Sequence, residues 1–323
     1  MTAADRPALR IYTRLVAGCT FLLLLAGGMV TSTASGLAVP DWPLSFGQWM
    51  PPMEGGVLYE HGHRMIASFV GLLIVIEAIW LGRVEERRWV RALGWAALAG
   101  VVVQGLLGGL TVLLRLPDAV SVSHAGLAQL VFGLTVTIAV VSSRGWAGVA
   151  DEPRPVDRRA PSLVHLAAVV AALVFVQILL GAVVRHTGAG LAIPTFPLAY
   201  GQWVPPLESF PVRIHFAHRV GALVVAAAAL WASARVLRAH RDVPGLARPA
   251  GLLAGLVGLQ IALGGWTVLS HKHPWVTTAH LGVGALLFAT TLILALRAGR
   301  VLAVAPGAVR APARPRIDAV EAR

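Results

Sequence analysis

Cysteine occurs once in the 323 residues, at Cys19, and charged residues make up only 13% of the chain. A lone thiol excludes an intramolecular disulfide, and it leaves no thiolate set for structural zinc. Cys19 itself reads as a small apolar packing residue. So few charges exclude an ordinary soluble surface, since soluble domains carry about 25%. Polar groups are also scarce in the middle of the apolar stretches, which argues against a transporter with broken helices at the midplane. What remains is apolar: 57% of residues are hydrophobic and the mean hydropathy is +0.73.

Those apolar residues gather into eight charge-poor stretches, near 15–34, 64–82, 92–114, 120–141, 162–184, 216–234, 246–269 and 275–296. A helix needs about 20 such residues to cross a hydrocarbon core of about 30 Å, so eight membrane spans are expected. The first is too long and uninterrupted for a signal peptide and is read as retained. A net charge of +12 would suggest nucleic acid in a soluble protein. Its placement suggests topology instead, and no nucleic-acid partner is expected. All but six of the 27 Lys and Arg lie at the two ends or in alternate loops, in clusters such as Arg83, Arg87, Arg88 and Arg91. By the positive-inside rule both termini are cytoplasmic, in the cell membrane, and the remaining loops face outward.

Residues 36–52 read GLAVPDWPLSFGQWMPP and residues 190–206 read GLAIPTFPLAYGQWVPP, an offset of 154. The duplication continues: His63-Arg64 answers His218-Arg219, the stretch from Gln104 to Leu113 answers that from Gln260 to Leu269, and Ser123-His124-Ala125-Gly126 answers Ala279-His280-Leu281-Gly282. Loop, histidine, glutamine-glycine and histidine thus recur in one order. The expected fold is an all-α membrane protein whose eight transmembrane helices form two pseudo-symmetric four-helix bundles. Four spans per half make both halves cross in the same sense, about an axis along the membrane normal. Residues 1–143 form the first half, 144–161 a cytoplasmic linker, 162–300 the second half and 301–323 a disordered basic tail. Prolines and Trp42, Phe46 and Trp49 make the first repeated loop a lid at the membrane interface.

His63, His124, His218 and His280 all begin spans that run inward, so they lie at similar depth near the outer face. A single histidine at such a place is commonly an interfacial hydrogen bonder, but four at duplicated positions point to ligation. Two imidazoles from different helices of one bundle can supply both axial ligands of a haem iron. Gly71, Gly126, Gly221 and Gly282 lie near them in sequence and could admit a porphyrin. Arg64 and Arg219 could pair with propionates at the outer interface. Glu60 precedes His63 by three residues, on the same helical face. Its equivalent is His215, so only the first pocket carries an acid, and Glu60 becomes the candidate for proton chemistry. The other histidines, His61, His165, His186, His240, His271 and His273, are read as ordinary polar residues.

This constellation, Glu-x-x-His-Arg at Glu60 to Arg64 with His124, His218 and His280 on eight spans in two halves, resembles the haem A synthase family over about 280 residues. The resemblance implies an enzyme that oxidises the ring D methyl of haem O, through an alcohol and a geminal diol, to a formyl group. It implies that His63, His124 and Glu60 hold substrate haem O, and that His218 and His280 hold a cofactor haem b. It points to haem O synthase as supplier, and leaves the electron donor and assembly into a homo-oligomer open. Some members carry a cysteine pair in the first outer loop; this chain has none there, so that loop acts through shape. The alternative is a di-haem b-type electron-transfer cytochrome, which shares the ligands and spans but has no use for Glu60.

Overall fold

The structure, a computed structural model, describes residues 6–147 and 155–304. Eight helices of 23 to 30 residues account for the expected spans: α1 (Pro7–Ser32), α2 (Gly55–Val84), α3 (Arg88–Leu113), α4 (Asp118–Val141), α6 (Leu163–His186), α7 (Phe210–Ala239), α8 (Ala247–Leu269) and α9 (Pro274–Val301). A short α5 (Arg144–Ala147) follows α4. Each long helix is apolar enough to cross a membrane, and at 1.5 Å per residue each spans about 35 to 45 Å. The chain is a multi-pass, all-α membrane protein.

Local chemistry marks the helix ends. Pro7, Pro211 and Pro274 stand in first turns, where the missing N–H removes no helical bond. At the end nearer the repeated loops α3 and α8 close with the same turn: Arg115 and Leu116, and then His271 and Lys272, all have positive φ. The amides of Leu116 and Lys272 return to the carbonyls of Thr111 and Thr267. α2 starts at Gly55, eight residues before His63, so Glu60 and His63 share one helix, as their spacing requires.

Within residues 7–141 the helices close a ring, α1 on α2, α2 on α3, α3 on α4 and α4 on α1; α6 to α9 close a second. Each ring has its own apolar core, one around Ile74, Leu81 and Ile138, the other around Leu163, Leu253 and Leu294. A third cluster, with Phe132 and Val136 from one ring and Ala285 and Ala289 from the other, joins them. Contacts between the rings run from α1 to α9 and from α4 to α6 and α9. α4 and α9 are therefore the most enclosed of the eight.

At the end of the helices opposite the repeated loops, the linker is docked against the helices. β1 (Val156–Asp157) pairs in parallel with β2 (Ala303–Val304). Asp157, 3% exposed, accepts from Arg235 Nη2 at 3.1 and 3.2 Å, from the Leu163 amide at 2.6 Å and from the Arg159 amide at 3.2 Å. Arg235 also donates to the Pro161 carbonyl. The stretch expected as a tail from 301 thus begins inside the fold, with Val301 closing α9. The rest of that expected tail lies outside the described residues.

Candidate functional site

The two repeated loops fold alike, because each is held by equivalent groups. Phe46-Gly47 and Tyr200-Gly201 have positive φ and turn short antiparallel bridges, Ser45 with Gln48 and Ala199 with Gln202. Both central residues left-handed is the turn that suits tight hairpins, and glycine takes the second position at no steric cost. Asp41 accepts the Phe46 and Gly47 amides at 2.7 and 2.8 Å; at its equivalent, Thr195 accepts the Tyr200 amide at 2.9 Å. Trp42 and Phe196 lie over Gly109 and Gly265, where a Cβ would stand 2.7 Å from either ring. Trp49 and Trp203, at 83% and 85% exposed, point away from the helices.

Glu60 and His215 anchor these lids at the same place. Glu60, 4% exposed, accepts the Val39 amide on Oε2 at 2.8 Å and Arg64 Nη2 on Oε1 at 2.6 Å. His215 accepts the Ile193 amide on Nδ1 at 3.3 Å, and Arg219 Nε approaches its Nε2 at 3.4 Å. Val39 and Ile193 are repeat equivalents, so the two side chains do one mechanical job and differ in charge. No described hydrogen bond joins Glu60 to His63. Arg64 also donates to the carbonyls of Asp41 and Leu44, and Arg219 to those of Ile193 and Thr195. Both arginines therefore hold their lids. Arg219 Nη1 is buried without a partner.

The four histidines share one setting. Each ring lies against a glycine of the preceding long helix: His63 on Gly27, His124 on Gly108, His218 on Gly181 and His280 on Gly264. A Cβ at any of these glycines would stand 3.0 to 3.2 Å from the imidazole Cε1. Within each half the two histidines are close enough to influence one another electrostatically, His63 with His124 and His218 with His280. Among the described residues no three His, Cys, Asp or Glu side chains gather into one group.

These residues fit a haem in each half. Nδ1 of His63, His124 and His280 is buried with no hydrogen-bond partner, which is costly for a polar atom and leaves Nε2 as the ring atom through which each could meet an iron. Gln104 donates to the His124 carbonyl, Gln177 to the His218 carbonyl and, at 2.9 Å, toward His218 Nδ1. Gln260 reaches only 3.5 Å from His280 Nε2. The amide oxygens of all three glutamines are buried and unpaired. An interfacial hydrogen bonder would show satisfied ring nitrogens, and three of these four rings do not.

Several residues fall elsewhere than the sequence suggested. A Cβ at Gly126 would meet Leu179 and one at Gly282 would meet Leu25, so these glycines serve the contact between halves; a Cβ at Gly221 would crowd Gln177, and nothing lies near Gly71. The cradling glycines were legible in part, because Gly27 answers Gly181 and Gly108 answers Gly264 at the repeat offsets. His61 is held by Ser45 Oγ at 2.8 Å, and His165 by Ser162 at 2.8 Å. Sequence reading also passed over Glu77, 0% exposed with both carboxyl oxygens unpartnered. It lies 17 residues beyond Glu60, about 25 Å along α2, and so outside this site.

The cytochrome oxidase assembly protein family COX15-CtaA matches residues 10–292. A protein of Symbiobacterium thermophilum named Heme A synthase is 34% identical over 285 residues, covering 85% of this chain and 90% of its own. One of Agrobacterium fabrum with that name is 32% identical, covering 88% of each chain. A third, of Halalkalibacterium halodurans, is 29% identical over 92% of this chain and 99% of its own.

Proposed function

From the premise that the chain belongs to the COX15-CtaA family of cytochrome oxidase assembly proteins, we propose that it is a haem A synthase, an oxidoreductase that converts the ring D methyl of haem O to a formyl group. The observation that carries this reading is the pair of glycine-cradled histidine pairs with a carboxylate above only one of them. The electron-transfer cytochrome falls behind, since the relatives carry the enzyme's name.

His63 and His124 hold the substrate macrocycle, and His218 and His280 hold haem b. When bound, haem b supplies one-electron redox chemistry that imidazole and carboxylate lack. The matched contacts of the two rings support two copies of one bundle about an axis along the membrane normal. The distribution of arginines supports cytoplasmic termini in the cell membrane, with the site beneath the outer lids. Turning a methyl into a formyl group breaks two C–H bonds and installs one oxygen, a four-electron oxidation whose electrons go to an oxidant from outside the chain and whose carbon-bound protons need an acceptor beside ring D. Glu60 Oε2, held by the Val39 amide beneath the first lid, is positioned to take them, and Arg64 keeps the carboxylate oriented. His215 provides the same lid anchor without the negative charge. Trp42 and Phe196, pressed on Gly109 and Gly265, close the lids against water.

Expressing the chain in cells that make haem O, and identifying the extracted porphyrin by mass, tests this. Haem A is expected with the parent chain. Glu60→Gln is expected to retain bound haem and to stop or stall oxidation, whereas haem A at the parental level from that variant would remove Glu60 from the mechanism.

A further inference from the structure

Arg185 stands in the last turn of α6, four residues beyond Gly181 and so on the same helical face, about 6 Å nearer the outer end. Gly181 is the residue on which the His218 ring lies, so the arginine rises from the outer edge of that pocket. It also lies within electrostatic reach of His280, the other imidazole of the pair. Nη2 donates to the Gly28 carbonyl at 2.6 Å and to Ser32 Oγ at 2.7 Å, both on α1. Among the described residues no carboxylate pairs with Arg185, and both of its hydrogen bonds are made by Nη2. A half-buried guanidinium met only by neutral oxygens is incompletely compensated, because an anion offsets its desolvation best. The equivalent position in the first half is Thr31, which is exposed. The feature therefore belongs to one pocket.

We infer that Arg185 binds a carboxylate of the macrocycle held by His218 and His280. This rests on the haem reading above. Haem b carries two propionates, which favour the outer rim over the hydrocarbon. Arg185 and the unpaired Nη1 of Arg219 are two cations available to them there. The fork of guanidinium N–H groups suits a carboxylate, and Nη2 already fixes the side chain across the seam. Ferric haem has one more positive charge than ferrous haem, so a neighbouring guanidinium disfavours the ferric form and raises the midpoint potential.

The test uses the full chain purified with haem b, as parent, Arg185→Gln and Arg185→Lys, each also reconstituted with haem b dimethyl ester. Redox titration and haem transfer to apomyoglobin are the readouts. Arg185→Gln is expected to lower the midpoint potential and to release haem about tenfold faster, as loss of one charged hydrogen bond implies. Arg185→Lys should restore most of the potential, and esterification should weaken retention more in the parent than in Arg185→Gln, where only Arg219 still meets a propionate. An unchanged potential together with the same ester penalty in parent and Arg185→Gln would overturn the inference. If Arg185→Gln does not accumulate, a parent that retains ester and acid equally overturns it, and a penalty reduced in Arg185→Lys supports it. A parent that binds no haem b, or His218→Ala with an unaltered haem spectrum, would sink the haem reading instead.

Discussion

At the scale of single residues, four imidazoles depend on the absence of a side chain opposite them. The Cε1 atoms of His63, His218 and His280 stand 3.0 Å from where a Cβ would be at Gly27, Gly181 and Gly264. A larger residue must push the ring out of its plane between the helices, at a cost of about 1–3 kcal/mol. Gly264→Val is therefore expected to abolish the haem b absorbance of the purified chain. Gly258→Val, where nothing lies within 4 Å on the same helix, should leave it intact and so controls for helix propensity. The histidines were legible in the sequence because the repeat marked them. Their cradles were less so, since glycine in a membrane helix has the common alternative use of helix packing, which Gly126 and Gly282 illustrate.

At the scale of elements, each lid hairpin is held by one side chain over two left-handed residues. In the first, the Gly47 amide foremost, with that of Phe46 and the charge of Arg64, holds the Asp41 carboxyl below the ordinary aspartate range. A carboxyl with a depressed folded pKa keeps its contribution above the unfolded value and loses it as pH falls through the folded one. Amide hydrogen exchange at Phe46 and Gly47 should therefore stay protected from neutral pH down to about pH 4. Protection should fall only below that, and Asp41→Ala should remove it at every pH. In the second lid, Thr195 has no charge to lose, so Tyr200 should show no such dependence. Asp41 against Thr195 was visible in the repeat, but its role as a turn anchor required the loop's conformation.

At the scale of the whole molecule, two ties hold the halves and the linker together. The outer tie runs through Arg185 to Gly28 and Ser32, and on through Ser32 Oγ to Thr278 at 3.0 Å. The inner one is the buried Asp157–Arg235 pair, with His240 Nε2 3.7 Å from Asp157. Burial pushes the Asp157 carboxyl up, but the Leu163 and Arg159 amides, then Arg235 and His240, outweigh it and hold it below the usual range. Burial foremost, with Arg235 and Arg159, outweighs the opposing pull of Asp157 and holds His240 below the usual histidine range. Both depressions act in one direction: the stability they contribute is complete above the unfolded pKa values and is lost as pH falls. The thermal midpoint of the detergent-solubilised chain should thus decline from about pH 7 downward. Asp157→Ala leaves Arg235 buried without its counter-charge and should cost about 3 kcal/mol, while flattening the acidic part of that profile. The sequence by itself determined the eight spans, the duplication and the kinds of group at each candidate site, because hydropathy and spacing are properties of one chain segment in its solvent. Only the tertiary structure decided that Arg64 holds a lid, that Glu60 and His215 share an anchor, and that Gly27, Gly108, Gly181 and Gly264 face the imidazoles. A residue's position on its own helix follows from 3.6-residue periodicity, whereas its partner depends on how neighbouring helices are rotated and crossed, which no local pattern records.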